Sequence, residues 1–332
     1  MHNYYKHNRG FFSGFNRIHV YLSDPGATAV LRIVGRYLEN KGYPIEYVTT
    51  GWSKRNHILE GEAKPLQNEN GLFSSPTLNS RSLVIYGARK DFILNYALSD
   101  RCKQNNMLTL FVFDHWKNYL VNFRNDASGS LYLPSRIAVI DSPMKRALCS
   151  VLSPYVSTDY FNCIDIIGNP AIDESVAYLD TMSDEFRTGL KARYNPMGKN
   201  LILLILEPIQ DDFGADRYPG YNEFTIIDYF FKHQYSPDTR ALVKPHPRHN
   251  MKVISSYFQE RYGANGFDVQ IIQHEKIENL ISISDLVVGM TSISMIPAIK
   301  INKPVISLQI DRNDFGKTLS NPYLERCLDI GH

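Results

Sequence analysis

The chain has 332 residues, 43% apolar and 21% charged, an ordinary globular composition that excludes a disordered or fibrous protein. A net charge of +2 supplies no bulk field for gripping nucleic acid, so a nucleic-acid partner is not expected. Cys102, Cys149, Cys163 and Cys327 show neither CxxC pairing nor metal-ligand spacing, and read as reduced thiols of a cytosolic protein. No apolar run reaches the roughly eighteen residues of a membrane span, and Met1 to Arg9 is polar and aromatic, unlike a signal sequence. A soluble, cytoplasmic protein is therefore expected. Peripheral contact with the inner face of a membrane stays open through Tyr4, Tyr5, Lys6, Arg9, Phe11 and Phe12, with a loosely ordered tail as the alternative.

A chain of this length predicts two domains. In the first half, Arg17 to Leu22 reads as a strand, Ser23 to Ala27 as a turn, and the amphipathic stretch to about Asn40 as a helix. Lys41-Gly42-Tyr43-Pro44 stops that helix, and Ile45 to Thr49 is the next strand. The turn falls where a doubly wound sheet places ligand contacts, which makes Asp24 and Gly26 candidates; shaping the turn is the alternative. Residues 52 to 80 read as irregular. Ser82 to Gly87 returns to strand and Asp91 to Lys103 to helix. Met107 to Phe113 is the clearest strand of this half, and it ends in Asp114-His115-Trp116. An acid and a histidine at the carboxyl end of a buried strand are placed for general-base work. The structural alternative has Asp114 capping a helical turn while Trp116 and Tyr119 pack.

Arg136 to Ile140 is a further strand, with Asp141 and Ser142 as a helix cap and Pro143 in the first turn. Cys163 to Ile167 is the last strand before Gly168-Asn169-Pro170, and Asp173 to about Arg193 reads as one long helix. These signals place an N-terminal domain at 1–170, a connecting helix at 171–198 and a C-terminal domain at 199–316. A tail at 317–332 reads as a helix able to pack back on the first domain.

The second half restarts with Leu201 to Leu206, a fully apolar strand ending at Glu207-Pro208. The acids Asp211, Asp212 and Asp216 lack calcium-loop spacing and read as a solvated turn. Helices at Glu223 to Gln234, Asn250 to Arg261, Glu275 to Ser284 and Ile293 to Ile301 then alternate with strands. Those strands are Arg240 to Lys244, Phe267 to Ile272, Asp285 to Gly289 and Pro304 to Gln309. Strict alternation predicts a parallel sheet, so the fold class is α/β with two Rossmann-like doubly wound domains. Two strand ends stand out. One offers Lys244, His246, Pro247 and Arg248; the other offers Gly289, Thr291, Ser292 and Ser294 just ahead of a helix. Hydroxyls and main-chain N–H groups at a helix start, joined by a histidine and two cations, suit a phosphate or diphosphate. A rigid turn with its imidazole satisfied by a carbonyl is the structural alternative for His246.

Two Rossmann-like halves facing a cleft resemble the GT-B glycosyltransferases. Lys244-Pro245-His246-Pro247 is similar to the His-Pro motif of bacterial GT-B sialyltransferases and of the related polysialyl, Kdo and polyol-phosphate transferases. Thr291-Ser292-Ile293-Ser294 is similar to their Ser/Thr motif. The resemblance implies that His246 contacts or protonates the departing phosphate while Ser292, with Thr291 or Ser294, binds it. It also implies that Asp114, with His115 as substitute, deprotonates the acceptor, with Asp24, Gly26 and Trp116 on the acceptor side. Two departures qualify it: Asp114-His115-Trp116 replaces the family's Asp-Asp-Gly or Glu-Asp-Gly, and no Glu occurs in 293–301 to hold a ribose. Glu207 is the substitute for that contact, with simply ending its strand as the alternative, and the missing Glu tilts the expected donor towards a CMP-activated ulosonic acid.

No DxD pair sits at a suitable strand end, so inverting transfer without metal or cofactor is expected, to a glycan, lipid-linked or protein acceptor. Other readings remain: a UDP-sugar GT-B transferase, a polyol-phosphate transferase, a non-hydrolysing UDP-sugar 2-epimerase, or a silent nucleotide-sugar-binding protein.

Overall fold

The computed structural model describes residues 9–12, 14–59, 63–65, 81–89, 92–125, 127–214, 219–263, 266–313, 321 and 323–324. The chain divides into two compact units, Met1–Ala171 and Ile172–His332.

The first unit is built on a seven-stranded sheet. Its strands are β1 (Arg17–Leu22), β2 (Ile45–Thr49), β3 (Ala63–Pro65), β4 (Ser82–Gly87), β5 (Leu108–Val112), β6 (Arg136–Val139) and β7 (Ile164–Ile166). They lie in the order β3-β2-β1-β4-β5-β6-β7, and every pairing is parallel. The order reverses direction between β1 and β4, so the turn after β1 opens at the sheet's switch point. Ile18, Val20 and Leu22 of β1 bury with Leu31, Val34 and Leu38 of the helix Pro25–Glu39, whose apolar residues recur at helical spacing.

The second unit carries β8 (Asn200–Ile205), β9 (Thr239–Lys244), β10 (Val269–Ile271), β11 (Leu286–Gly289) and β12 (Val305–Ser307). These pair in parallel in the order β10-β9-β8-β11-β12. The central strand explains why its sequence is continuously apolar. Ile202 and Leu204 join one buried cluster, while Leu201, Leu203 and Ile205 join another on the opposite face.

Several expectations are corrected. The predicted single helix from Asp173 to Arg193 is two helices, Pro170–Asp180 and Asp184–Tyr194. Ser183 begins the second by accepting a hydrogen bond from the Phe186 amide at 3.2 Å, a cap worth about 1 kcal/mol. Nor are they a free connector, since Leu179, Leu190 and Tyr194 pack with Leu201 and Leu203 inside the second unit. Residues 52–80 contain the helix Gly51–Arg55 from its second residue onward, and β3. Ile293 to Ile301 starts as a 3₁₀ turn, Ile293–Met295, and becomes α-helical only at Ile296–Lys300. Asp211 and Asp212 belong to a short helix, Ile209–Phe213, while Asp216 lies outside the described residues.

At the N-terminus, Phe12 is fully buried in the first unit's core and Phe11 packs against it, with the Arg136 guanidinium over the Phe11 ring. Phe12 is therefore not available to a headgroup surface, while Phe11 is only partly buried. Tyr4, Tyr5 and Lys6 lie outside the described residues, as does most of 317–332. Within that tail, Leu324 is buried in the second unit's own core. No helix among the described residues is long and apolar enough to cross a membrane.

Candidate functional site

In the first unit, the turn after β1 is pinned from two sides. The Ser53 amide and hydroxyl both donate to the Ser23 carbonyl, and the Thr28 hydroxyl meets the Ser53 hydroxyl. Asp24 precedes the helix Pro25–Glu39 in extended conformation, and the Thr28 amide donates to its carbonyl. β4 lies between β1 and β5, and it ends in Gly87. A Cβ there would stand 3.1 Å from both the Ala27 side chain and the Val112 carbonyl, so the missing side chain lets the helix start approach β5 across β4. Gly26 thereby comes against Asp114: a Cβ on Gly26 would fall inside the radius of Asp114 Oδ2.

Asp114 follows β5 and is 8% exposed, and among the described residues its Oδ1 has no hydrogen-bond partner. Burial pushes its carboxyl above the usual carboxylate range; His115 opposes this and Asp24 adds to it. His115 Nε2 lies 3.8 Å from Asp114 Oδ1, with the imidazole partly exposed. The main chain at Asp114 is held by Asn169, whose side-chain amide donates to the Asp114 carbonyl at 3.0 Å. Asp24, Gly26, Asp114 and His115 thus form one cluster at the carboxyl edge. Trp116 does not join it. Its indole is buried and donates to Asp141 Oδ2 at 2.9 Å, while Asp141 Oδ1 caps the helix Ser142–Leu152 at the Met144 amide. Trp116 is therefore packing, and Asp141 is a helix cap.

In the second unit, β9 and β11 both flank β8, so their loops leave one edge about 10 Å apart, two strand spacings. The β9 loop is a tight turn. The His249 amide donates to the His246 carbonyl, and the His246 amide donates to His249 Nδ1, each at 2.9 Å. The Arg248 amide donates to His246 Nδ1 at 3.2 Å, which leaves the ring proton on Nε2. Burial, then Arg248 and His249, push the His246 pKa down to about 3, with Asp212 opposing. With Nδ1 accepting from the Arg248 amide, His246 presents Nε2 as its N–H donor.

The two expected cations are otherwise engaged. Arg248 forms a two-pronged pair with Asp212, Nη2 to Oδ2 at 2.7 Å and Nη1 to Oδ1 beside it. Lys244 Nζ donates to the Gln273 and Glu275 carbonyls, the latter at 2.8 Å, so it ties the β9 end to the stretch after β10. Pro247 is exposed beside His246. On the β11 side, Thr291 is buried, and both its amide and its hydroxyl donate to the Glu207 carboxylate. That contact removes Thr291 from the anion-binding set, and it accounts for Glu207 at the end of β8 without a ribose. Gly289 is explained by packing, because a Cβ there would stand 2.6 Å from Met295 Sδ. What remains outward are Ser292, which caps the 3₁₀ turn by accepting from the Ser294 amide at 3.3 Å, and Ser294, both partly exposed. His246, Ser292 and Ser294 are thus the partly exposed neutral side chains left at these two loops. No group of three or more metal-ligating side chains occurs among the described residues.

Sequence reasoning missed Gly87, Asp212, Glu223 and His249. Glu223 and His249 are buried together, 3.6 Å apart, one at a helix start and the other in the His246 turn. A histidine three residues after His246 was the only signal on offer.

No family model matches the sequence, and no curated protein matches it. Solved structures do. The chain is similar to HepE from Anabaena, solved with UDP and glucose, at 13% identity and a TM-score of 0.52, covering 88% of this chain and 80% of that one. It is similar to UDP-GlcNAc 2-epimerase from Neisseria meningitidis bound to UDP-GlcNAc, at 15% identity and a TM-score of 0.58, covering 91% and 84%. It is also similar to the wall teichoic acid polymerase TagF, at 15% identity and a TM-score of 0.54, covering 87% and 69%. At such identities the likeness is one of fold: two Rossmann-like parallel-sheet units of the GT-B class.

Proposed function

We propose that the chain is a glycosyltransferase that moves a sugar from a nucleotide-sugar donor to a hydroxyl acceptor, with inversion and without a metal. The observation that carries this is Asp114, a carboxylate buried at a strand tip with one oxygen unpartnered among the described residues and the other against a glycine. Burying an unsatisfied carboxylate is costly, and such groups concentrate where a proton must move. Asp114 takes the proton of the acceptor hydroxyl as its oxygen attacks the anomeric carbon, and the bond from that carbon to the phosphate oxygen breaks. The negative charge developing on the departing phosphate is met by His246 Nε2–H and by the hydroxyls of Ser292 and Ser294. His115, 3.8 Å from Asp114, tunes the base.

UDP-sugars are the donors best supported, because the HepE structure holds UDP with glucose and the Neisseria protein holds UDP-GlcNAc. A CMP-activated ulosonic acid is supported by the motif resemblance at Lys244–Pro247 and Thr291–Ser294 and by the absence of Glu from 293–301. The acceptor class is a glycan, lipid-linked or protein hydroxyl. A second reading, UDP-sugar 2-epimerisation, is favoured by the Neisseria likeness, which has a higher TM-score than HepE or TagF. The protein is incubated with UDP-GlcNAc, UDP-glucose, CMP-sialic acid, CMP-Kdo and CDP-glycerol, and free nucleotide and sugar products are measured. Nucleotide release with the sugar transferred supports the transferase. An isomerised UDP-sugar that keeps its nucleotide supports the epimerase, and binding without turnover overturns both.

A further inference from the structure

The His246 turn is backed by a pair of buried side chains, Glu223 and His249. Glu223 is 2% exposed and His249 is 9% exposed. Asn222 caps the helix that Glu223 begins, accepting from the amides of Phe224 and Thr225, which fixes where the Glu223 side chain starts. One carboxylate oxygen, Oε2, accepts a hydrogen bond from the Gln210 amide at 3.0 Å. The other, Oε1, faces His249 Nε2 at 3.6 Å, and among the described residues no other partner meets that nitrogen. Across the ring, His249 Nδ1 accepts from the His246 amide.

We infer that Glu223 sets the proton position on His249, and that His249 in turn holds His246 in place to receive the departing phosphate. Both are positioning residues; neither touches the donor. A neutral imidazole has one N–H and one bare nitrogen, and the partner of one decides the state of the other. Main-chain N–H of His246 can only donate, so His249 Nδ1 must be bare and Nε2 must carry the proton. A carboxylate opposite Nε2 enforces that form, whereas an amide would not. In Glu223→Gln the side chain keeps one oxygen, which the Gln210 amide claims because a main-chain N–H has no alternative role. The NH₂ group then faces His249 Nε2 and requires a bare nitrogen there. The proton moves to Nδ1, donor meets donor at the His246 amide, and the turn loses the bond that aims His246.

This inference rests on the phosphate-holding role of His246, so the test separates the two. Binding is measured by calorimetry with whichever of UDP and CMP the wild-type protein binds more tightly. Glu223→Gln is expected to weaken it about tenfold, towards the hundredfold that misplacing a site group by an ångström can cost. His249→Gln, which keeps a polar group near Glu223 but has no acceptor at the δ position, is expected to do the same. His249→Asn carries an oxygen at the δ position and should recover most of the loss. The decisive arm is Glu223→Gln in the His249→Asn background, where no tautomer exists to be trapped and the added cost should fall below about twofold. A Glu223 that merely supports packing would cost the same in both backgrounds, and that result overturns the inference. Independently of any nucleotide, ¹⁵N chemical shifts of the histidine rings should show a bare Nδ1 at His249 in the wild type and a protonated one in folded Glu223→Gln. A protonated Nδ1 in the wild type, or no change in the variant, also overturns it. If His246→Ala binds as well as wild type, or the wild type binds neither nucleotide, the phosphate role itself fails and the inference falls with it.

Discussion

The two sheet edges treat charge in opposite ways. In the first unit, Asp114 is buried with an oxygen that meets no donor among the described residues, and its carboxyl is pushed above the ordinary range. In the second, Arg248 is matched by Asp212, Lys244 by two carbonyls, and Glu207 by Thr291. The charges there are spent on holding loops, which leaves His246, Ser292 and Ser294 as neutral donors. A cluster of ionisable residues in a sequence therefore does not identify the reactive group. The reactive candidate is the group left over after the others have found partners, and the paired ones shape the loops around it.

Four measurements bear on that contrast. The largest effect is expected from His246→Ala, which removes an N–H donor from the departing phosphate and should lower turnover by about a hundredfold or more. Turnover at the wild-type level in a folded variant would take His246 out of the site. Next is Gly26→Ala. Its Cβ cannot coexist with Asp114 Oδ2 in the present position, so the carboxyl must shift and turnover should fall roughly tenfold to a hundredfold. Nucleotide affinity should be unaffected; a matching loss of affinity would mean that Gly26 serves the donor instead. Glu207→Gln is expected to act on stability, because it replaces charge-assisted bonds from the Thr291 amide and hydroxyl with neutral ones and puts an NH₂ where a second carboxylate oxygen accepts from the hydroxyl. The cost should be about 1–3 kcal/mol in denaturant unfolding, and an unchanged midpoint would show that the Thr291 clamp is not a stabilising contact. The smallest effect is in salt. With its cations matched internally, the second unit should bind UDP or CMP with an affinity that changes less than about twofold up to roughly 0.3 M salt. Asp212→Asn, which releases Arg248 from its partner, should make binding tighter and salt-sensitive. A steep salt dependence in the wild type would break the contrast.

Much of the architecture was legible because it is written in periodicities. Leu201 to Leu206 is apolar at every position since both sheet faces bury it, and strand-helix alternation fixed the parallel connections. Asp114 was legible too, as an acid terminating the clearest strand. The misses share a cause: they depend on which neighbours fill a donor or an acceptor, and sequence does not carry that. Arg248 reads as a free cation until Asp212, 36 positions away, is seen on its guanidinium. Thr291 reads as a phosphate ligand until Glu207 takes both its donors. Trp116 reads as a platform for an acceptor until its indole is found on Asp141. Gly87 carries no motif, and its role lies in the space that it leaves between Ala27 and Val112.

The most direct test compares binding with turnover in Asp114→Asn. The substitution keeps shape and removes the base, so nucleotide affinity should stay within about twofold of wild type. Release of nucleotide from the active donor should fall by roughly two to four orders of magnitude. In the wild type, turnover should be lost with acid along a limb centred above the ordinary carboxylate range, since burial raises the Asp114 pKa and only its ionised form accepts a proton. An Asp114→Asn variant that releases nucleotide at the wild-type rate with the same acid limb would contradict the account.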